Sequence, residues 1–252
     1  MRLVTWLLPA LLVGCATPPT LRTPTMNPAA PAPTFDPTLV VPIVKWPATE
    51  PRPLSAAAFD GGGGSAAAVP GDLSAVLRQV ATPWTAEDGD IAPLIARLHA
   101  TLLSSGGVGI AAPQIGVGKR VFLVKHGTRR HVSQPAGVPP YIVAYVNPQV
   151  IYASPEQQED YEACLSVTGI GGRLPRALHL RLRYLAPDAL QGPPREVEAH
   201  DWDARIFQHE LDHIDGHLYI DHLATLSRTP LSIEEMRLHR DAGHRERGLV
   251  AP

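Results

Sequence analysis

Apolar residues fall into three regimes along this chain. An apolar stretch runs from Leu3 to Gly14 behind a single early charge, Arg2. From Ala16 to about Gly71 no period holds. Pro, Ala, Thr and Gly recur there, with a glycine run at 61–64, which gives too many breakers for a helix or a central strand. Periodicity begins near Asp72, where Leu73, Val76 and Leu77 form a short amphipathic turn pattern. Ile91, Leu94, Ile95, Leu98 and Leu102 then repeat at helical spacing, and the pattern stops at Ser104-Ser105-Gly106-Gly107. Strand-like runs cover 121–124, 141–146, 150–152 and 178–185. A second helix is predicted from about Ala204 into His217, and the polar stretch from Ser232 onward predicts a further helix or tail. Mostly antiparallel strands around a central helix make this an α+β domain. The chain therefore divides into a signal over 1–15, a tether over 16–71, a catalytic domain over 72–228 and a polar C-terminal segment over 229–252.

Composition refines that division. Hydrophobic residues at 44% and charged residues at 18% suit a soluble core, while the 27 prolines and 21 glycines cluster early and belong to the tether. A formal net charge of -2 gives no electrostatic basis for binding nucleic acid. The two cysteines, Cys15 and Cys164, sit in segments of different character, so each invites its own explanation rather than a shared disulfide. The first apolar run is too short to span a bilayer. Its end, Leu12-Val13-Gly14-Cys15, resembles the bacterial lipobox, which predicts acylation of Cys15 and a membrane anchor at the cell envelope. The competing reading is a misplaced start codon in front of a cytoplasmic enzyme.

The sharpest chemical signal is Gln208-His209-Glu210-Leu211-Asp212-His213. Histidines at i and i+4 share one helix face, so both imidazoles can reach one cation. The glutamate between them can handle protons on a nearby water. A catalytic site of this kind needs a third protein ligand. Gly216 fits the glycine of a metzincin, but Tyr219 stands where that pattern needs histidine, and His217 is out of register. The other candidate is Cys164, within Glu162-Ala163-Cys164-Leu165-Ser166. Upstream lies Gly107-Val108-Gly109-Ile110-Ala111-Ala112-Pro113-Gln114, a glycine-rich turn without the spacing of a phosphate-binding loop.

In this order the three segments resemble the peptide deformylase family, whose motifs are Gly-x-Gly-x-Ala-Ala-x-Gln, Glu-Gly-Cys-Leu-Ser and Gln-His-Glu-x-Asp-His. The resemblance extends from Val76 to about Leu223. It implies that Cys164, His209 and His213 bind one divalent metal, Fe2+ or Zn2+ with Ni2+ or Co2+ as substitutes. It implies that Glu210 acts as general base and then general acid in hydrolysing an N-formylmethionyl peptide to formate and a free amine. The Gln114 amide and the Leu165 backbone N–H would hold the oxyanion, and Gly109 and Ala163 would lie along the substrate. An oxidising envelope would favour zinc over iron beside a thiolate.

Two departures stand out. Ala163 replaces the family glycine before the metal cysteine, and Val167-Thr168 replaces an apolar-Pro pair. The alternatives to deformylation are an exported amidohydrolase or protease acting on another acylated peptide, and a non-catalytic peptide-binding lipoprotein. A mere binder has no need of Glu210.

Overall fold

The computed structural model describes residues 36–45, 73–128 and 140–246. Helix α1 (Ala92–Ser105) forms where the sequence shows helical spacing, and Gly106, at φ 69°, ends it in the left-handed conformation that glycine adopts readily. Strands β1 (Gly109–Ala111), β2 (Val121–His126) and β3 (Tyr141–Ala153) follow. After them come β4 (Gln157–Cys164), β5 (Val167–Ala177), β6 (His179–Leu185) and β7 (Arg195–His200). The chain continues with α2 (Asp201–Ile214), α3 (Tyr219–Thr225), the short β8 (Leu231–Ser232) and α4 (Ile233–Glu246). A five-stranded sheet has the order β1-β2-β3-β6-β7, and a three-stranded sheet the order β4-β5-β8. Neighbouring strands are antiparallel in both sheets, which gives the expected α+β architecture.

The alternation of β2 explains how the helices are arranged. Phe122 and Val124 enter one core with Phe207, Leu211 and Ile214 of α2, whereas Val121 and Leu123 enter another with Leu94, Leu98 and Leu102 of α1. Side chains of successive strand residues point to opposite faces, so the sheet carries a helix on each side. Each fully buried residue of this type contributes about 1.5–3 kcal/mol. A third cluster, including Val167, Leu174, Leu218, Tyr219 and Leu223, joins the small sheet to α3 and contains Cys164.

Several elements differ from the periodicity. The separate runs at 141–146 and 150–152 are one strand, β3, whose register against β6 shifts between Val146 and Gln149. Asn147 sits there at φ 49° and its side chain bonds the backbone N–H and C=O of Trp84 at 2.7 and 2.8 Å. A bulge of this kind bends a strand without ending it. The second helix runs from Asp201 rather than Ala204 and stops at Ile214. Gly216 follows at φ 76°, and a side chain there would crowd the backbone of Arg78 and Gln79.

The stretch read as a uniform tether contains residues 36–45 packed on the domain, with Val41 against the α1 core. Its apolar run Leu39-Val40-Val41-Pro42-Ile43-Val44 gives it surface to bury. The signal over 1–15, with Cys15, and the remainder of the tether lie outside the described residues. The C-terminal segment, read above as a helix or tail, contains α4, which brings a buried residue, Met236, onto the domain.

Candidate metal centre and active site

Helix α2 contacts strands of both sheets and carries His209 and His213 one turn apart, with Glu210 between them. Cys164 closes β4 at a register break, where Glu162 pairs with Gly172 but Cys164 pairs with Val167. Hairpin and helix thereby bring three donor atoms together. The Cys164 sulfur and one nitrogen each from His209 and His213 lie within 4.8 Å of one another. Cys164 Sγ is 3.2 Å from His213 Nε2. His209 Nδ1 is 3.0 Å from Glu162 Oε2, which leaves its other ring nitrogen to face the Cys164 sulfur. One sulfur and two imidazole nitrogens converging on a small volume suit a divalent ion of zinc or ferrous type.

The electrostatics agree with that donor set. Burial would raise the Cys164 thiol, but His213 and His209 outweigh it and hold the thiol well below its ordinary value. The sulfur is therefore poised as thiolate, the form that binds metal. Burial pushes Glu210 up to about 7, against the pull of the two imidazoles. One of its carboxylate oxygens, Oε2, is buried without a hydrogen-bond partner, as expected of a group that faces a reacting water. A Cβ at Gly109 would overlap the Glu210 carboxylate, so β1 can pass the base this closely only with glycine.

Gln114, almost fully buried, follows β1 in a single 3-10 turn, Ala112–Ile115. Its Oε1 accepts from the Ala111 N–H at 2.9 Å, and its Nε2 donates to Ser166 Oγ at 3.2 Å, with Cys164 Sγ at 3.7 Å. The Ser166 N–H donates to the Cys164 sulfur at 3.3 Å. Leu165 lies in the same turn. Gly109, Ala163 and Leu165 all line a cavity of about 290 Å³ that also contains the three donor residues' neighbours Gln114 and Glu210. Thus the sequence-predicted residues of the domain assemble at one place, while Cys15 is outside the described residues.

Sequence reasoning missed the supports of this site. Glu162 accepts two hydrogen bonds from Arg176, both 2.9 Å, and one from Arg205 at 2.8 Å, besides its contact with His209. Arg176 also reaches Asp212 at 2.7 Å, and Asp212 Oδ2 lies 2.9 Å from His222 Nε2. Despite burial, which would raise it, Glu162 is held far below the usual carboxylate range, chiefly by Arg176. Such a carboxylate fixes the tautomer and orientation of a ligating histidine. Glu162 and Asp212 stood inside the motifs, but nothing in the spacing pointed to Arg176, Arg205 or His222. The apolar walls of the cavity, Val108, Trp202, Ile206 and Met236, were equally unread.

Fold and site together point to the class of metal-dependent hydrolases, with one thiol and two imidazoles as the converging donor groups. The comparisons with known proteins give the particular family. The polypeptide deformylase family matches residues 69–229, and the chain belongs to it. It is 40% identical over 146 residues to a peptide deformylase of Heliobacterium modesticaldum, covering 58% of this chain and 86% of that protein. It is 34% identical over 166 residues to that of Phenylobacterium zucineum, covering 66% and 92%. Among solved structures, the Met-Ala-Ser-bound class I type b peptide deformylase of Acinetobacter baumannii superposes with a TM-score of 0.55. It is 30% identical, and the match covers 73% of this chain and 98% of that one.

Proposed function

We propose that Cys164, His209 and His213 hold one divalent metal ion, and that the site removes the formyl group from N-formylmethionyl peptides. A metal held there supplies Lewis acidity. Glu210, lifted to about 7 by burial, accepts a proton from the attacking water and returns it to the departing amine. Formate leaves as the C–N bond breaks. The Gln114 amide and the Leu165 N–H donate to the oxyanion that develops on the formyl carbonyl. Val108, Trp202, Ile206 and Met236 offer an apolar wall suited to an unbranched side chain such as methionine. The observation that carries the reading is the convergence of the Cys164, His209 and His213 donor atoms beside the partnerless Glu210 oxygen.

The chain is anchored at the cell envelope through acylated Cys15, and zinc is then the fitting metal, since a thiolate-bound ferrous site suffers in an oxidising compartment. Fe2+ fits a cytoplasmic enzyme, and Ni2+ or Co2+ would substitute in either. Incorporation of labelled fatty acid into the wild type but not Cys15→Ala tests the anchor. An unlabelled, fully soluble wild type would move the enzyme to the cytoplasm.

The activity is tested on protein purified without oxygen, by metal content and by formate release from formyl-Met-Ala-Ser. About one metal per chain is expected. Glu210→Gln is expected to keep that metal and lose roughly 10²–10⁴-fold in turnover, the usual contribution of a positioned acid–base group. Bound metal without formate release from the wild type would keep the centre and reject the substrate.

A further inference from the structure

Residues 36–45 lie upstream of the family match at 69–229, yet they are fastened to the catalytic domain at three points. The Val41 N–H donates to the buried Thr101 hydroxyl of α1 at 3.2 Å. The Val44 N–H donates to the Gln114 carbonyl at 2.8 Å. The next residue, Lys45, donates from its ammonium to the Leu165 carbonyl at 2.6 Å. Val41 also packs against the core formed by α1, β1 and β2.

The last two contacts, of Val44 and Lys45, fall on a telling pair. Gln114 follows β1 of the large sheet, whereas Leu165 sits in the β4–β5 turn of the small sheet. These are the two residues assigned above to the oxyanion, and two consecutive residues of one segment, Val44 and Lys45, join them. Oxyanion donors act only if their spacing is set before the reaction, and an error of about 1 Å can cost on the order of a hundredfold in rate. A charged donor makes a stronger hydrogen bond than a neutral one.

We propose that residues 36–45 are a working part of the active site, with Lys45 a positioning residue that holds the Leu165 peptide in place relative to Gln114. Lys45 acts through Leu165 and touches neither the metal ligands nor the reacting atoms. A displaced Leu165 N–H loses its partner chiefly in the transition state, so the effect falls on kcat more than on KM. The proposal rests on the deformylase reading for its kinetic consequence, but its structural consequence can be read separately.

The test uses the full chain with metal bound, comparing wild type with Lys45→Met, Lys45→Arg and Val44→Pro. Lys45→Met is expected to lower kcat for formyl-Met-Ala-Ser about fivefold to tenfold, the scale of one ordinary hydrogen bond since the contact is solvent-exposed, with KM held within about twofold. Metal content and Tm stay at wild-type values, Lys45→Arg recovers most of the loss, and Val44→Pro repeats it by removing the N–H given to Gln114. Amide hydrogen exchange over residues 112–116 and 164–168 rises in Lys45→Met. Wild-type kcat in Lys45→Met, a gain in kcat, a loss that merely follows Tm, or unchanged exchange would each overturn the proposal. An inactive wild type whose exchange still responds to Lys45→Met would reject the deformylase reading and keep the strap.

Discussion

Ala163 stands where the family has glycine, and its backbone tells what the extra methyl does. Among the described residues positive φ outside glycine occurs at Asn147, Asp201 and Ser227, so Ala163 is not in the left-handed region and carries no strain of that kind. It is exposed and lines the cavity beside Cys164. The methyl therefore narrows the rim along which a peptide would lie, and leaves the Cys164 sulfur alone. Ala163→Gly is expected to lower KM for a formylated peptide about twofold to fivefold with kcat little changed, while costing roughly 0.5–1 kcal/mol of stability for glycine in a strand. Steady-state kinetics and a thermal melt check both parts, and an unchanged KM would assign the methyl no role. At this scale the sequence was informative wherever a residue type has few uses. A cysteine, two histidines four apart and a glutamine after a glycine-rich turn could be picked out. Gly109 could also be picked out, but the crowding of Glu210 against it required coordinates.

The element that organises the site is the β4–β5 hairpin laid against α2. Glu162 on β4 accepts from Arg176 on β5 and from Arg205 on α2, and it orients His209. Both arginines are nearly as buried as the carboxylate, so the cluster is a set of charges that must be balanced internally. Glu162→Gln keeps the shape and removes the negative charge. It is expected to destabilise the protein by about 3–5 kcal/mol, because two guanidinium groups lose their shared partner. Metal affinity is expected to fall roughly 10–100-fold, because His209 loses the group that fixes its ring. Chemical denaturation and competition with a chelator measure the two effects, and a variant with unaltered metal affinity would show that packing alone orients His209. This hairpin was the part of the fold least legible in the sequence. Its strands, 157–164 and 167–177, mix charged, small and apolar residues because they enclose an ion cluster on one side. The period-2 signal is lost where arginine and glutamate occupy inward positions. Helices α1 and α2 and strand β2 were legible because they bury ordinary apolar faces.

For the whole molecule, the three proposed metal ligands come from two different cores. His209 and His213 ride on α2, whose apolar face packs with the five-stranded sheet, whereas Cys164 belongs to the cluster that joins the small sheet to α3. An ion bound to all three ties those cores together, and binding that favours only the folded state adds stability by mass action. With free metal at about a thousand times its dissociation constant the gain is about 4 kcal/mol. For a domain of this size each kcal/mol moves Tm by roughly 2–4 °C, so removal of the metal is expected to lower Tm by about 8–16 °C. The Cys164 thiolate and its imidazole neighbours still attract one another without the ion, so a cooperative transition should survive. Scanning fluorimetry of the full chain with and without chelator, followed by readdition of Zn2+ or Fe2+, reads the difference. The same experiment on Cys164→Ser should show a smaller gap, because a hydroxyl is a poorer ligand than a thiolate for these ions. Coincident melts with and without metal in the wild type would mean that the three donors come together for packing alone. A gap restored by one metal and not the other would identify the ion the site is built to hold.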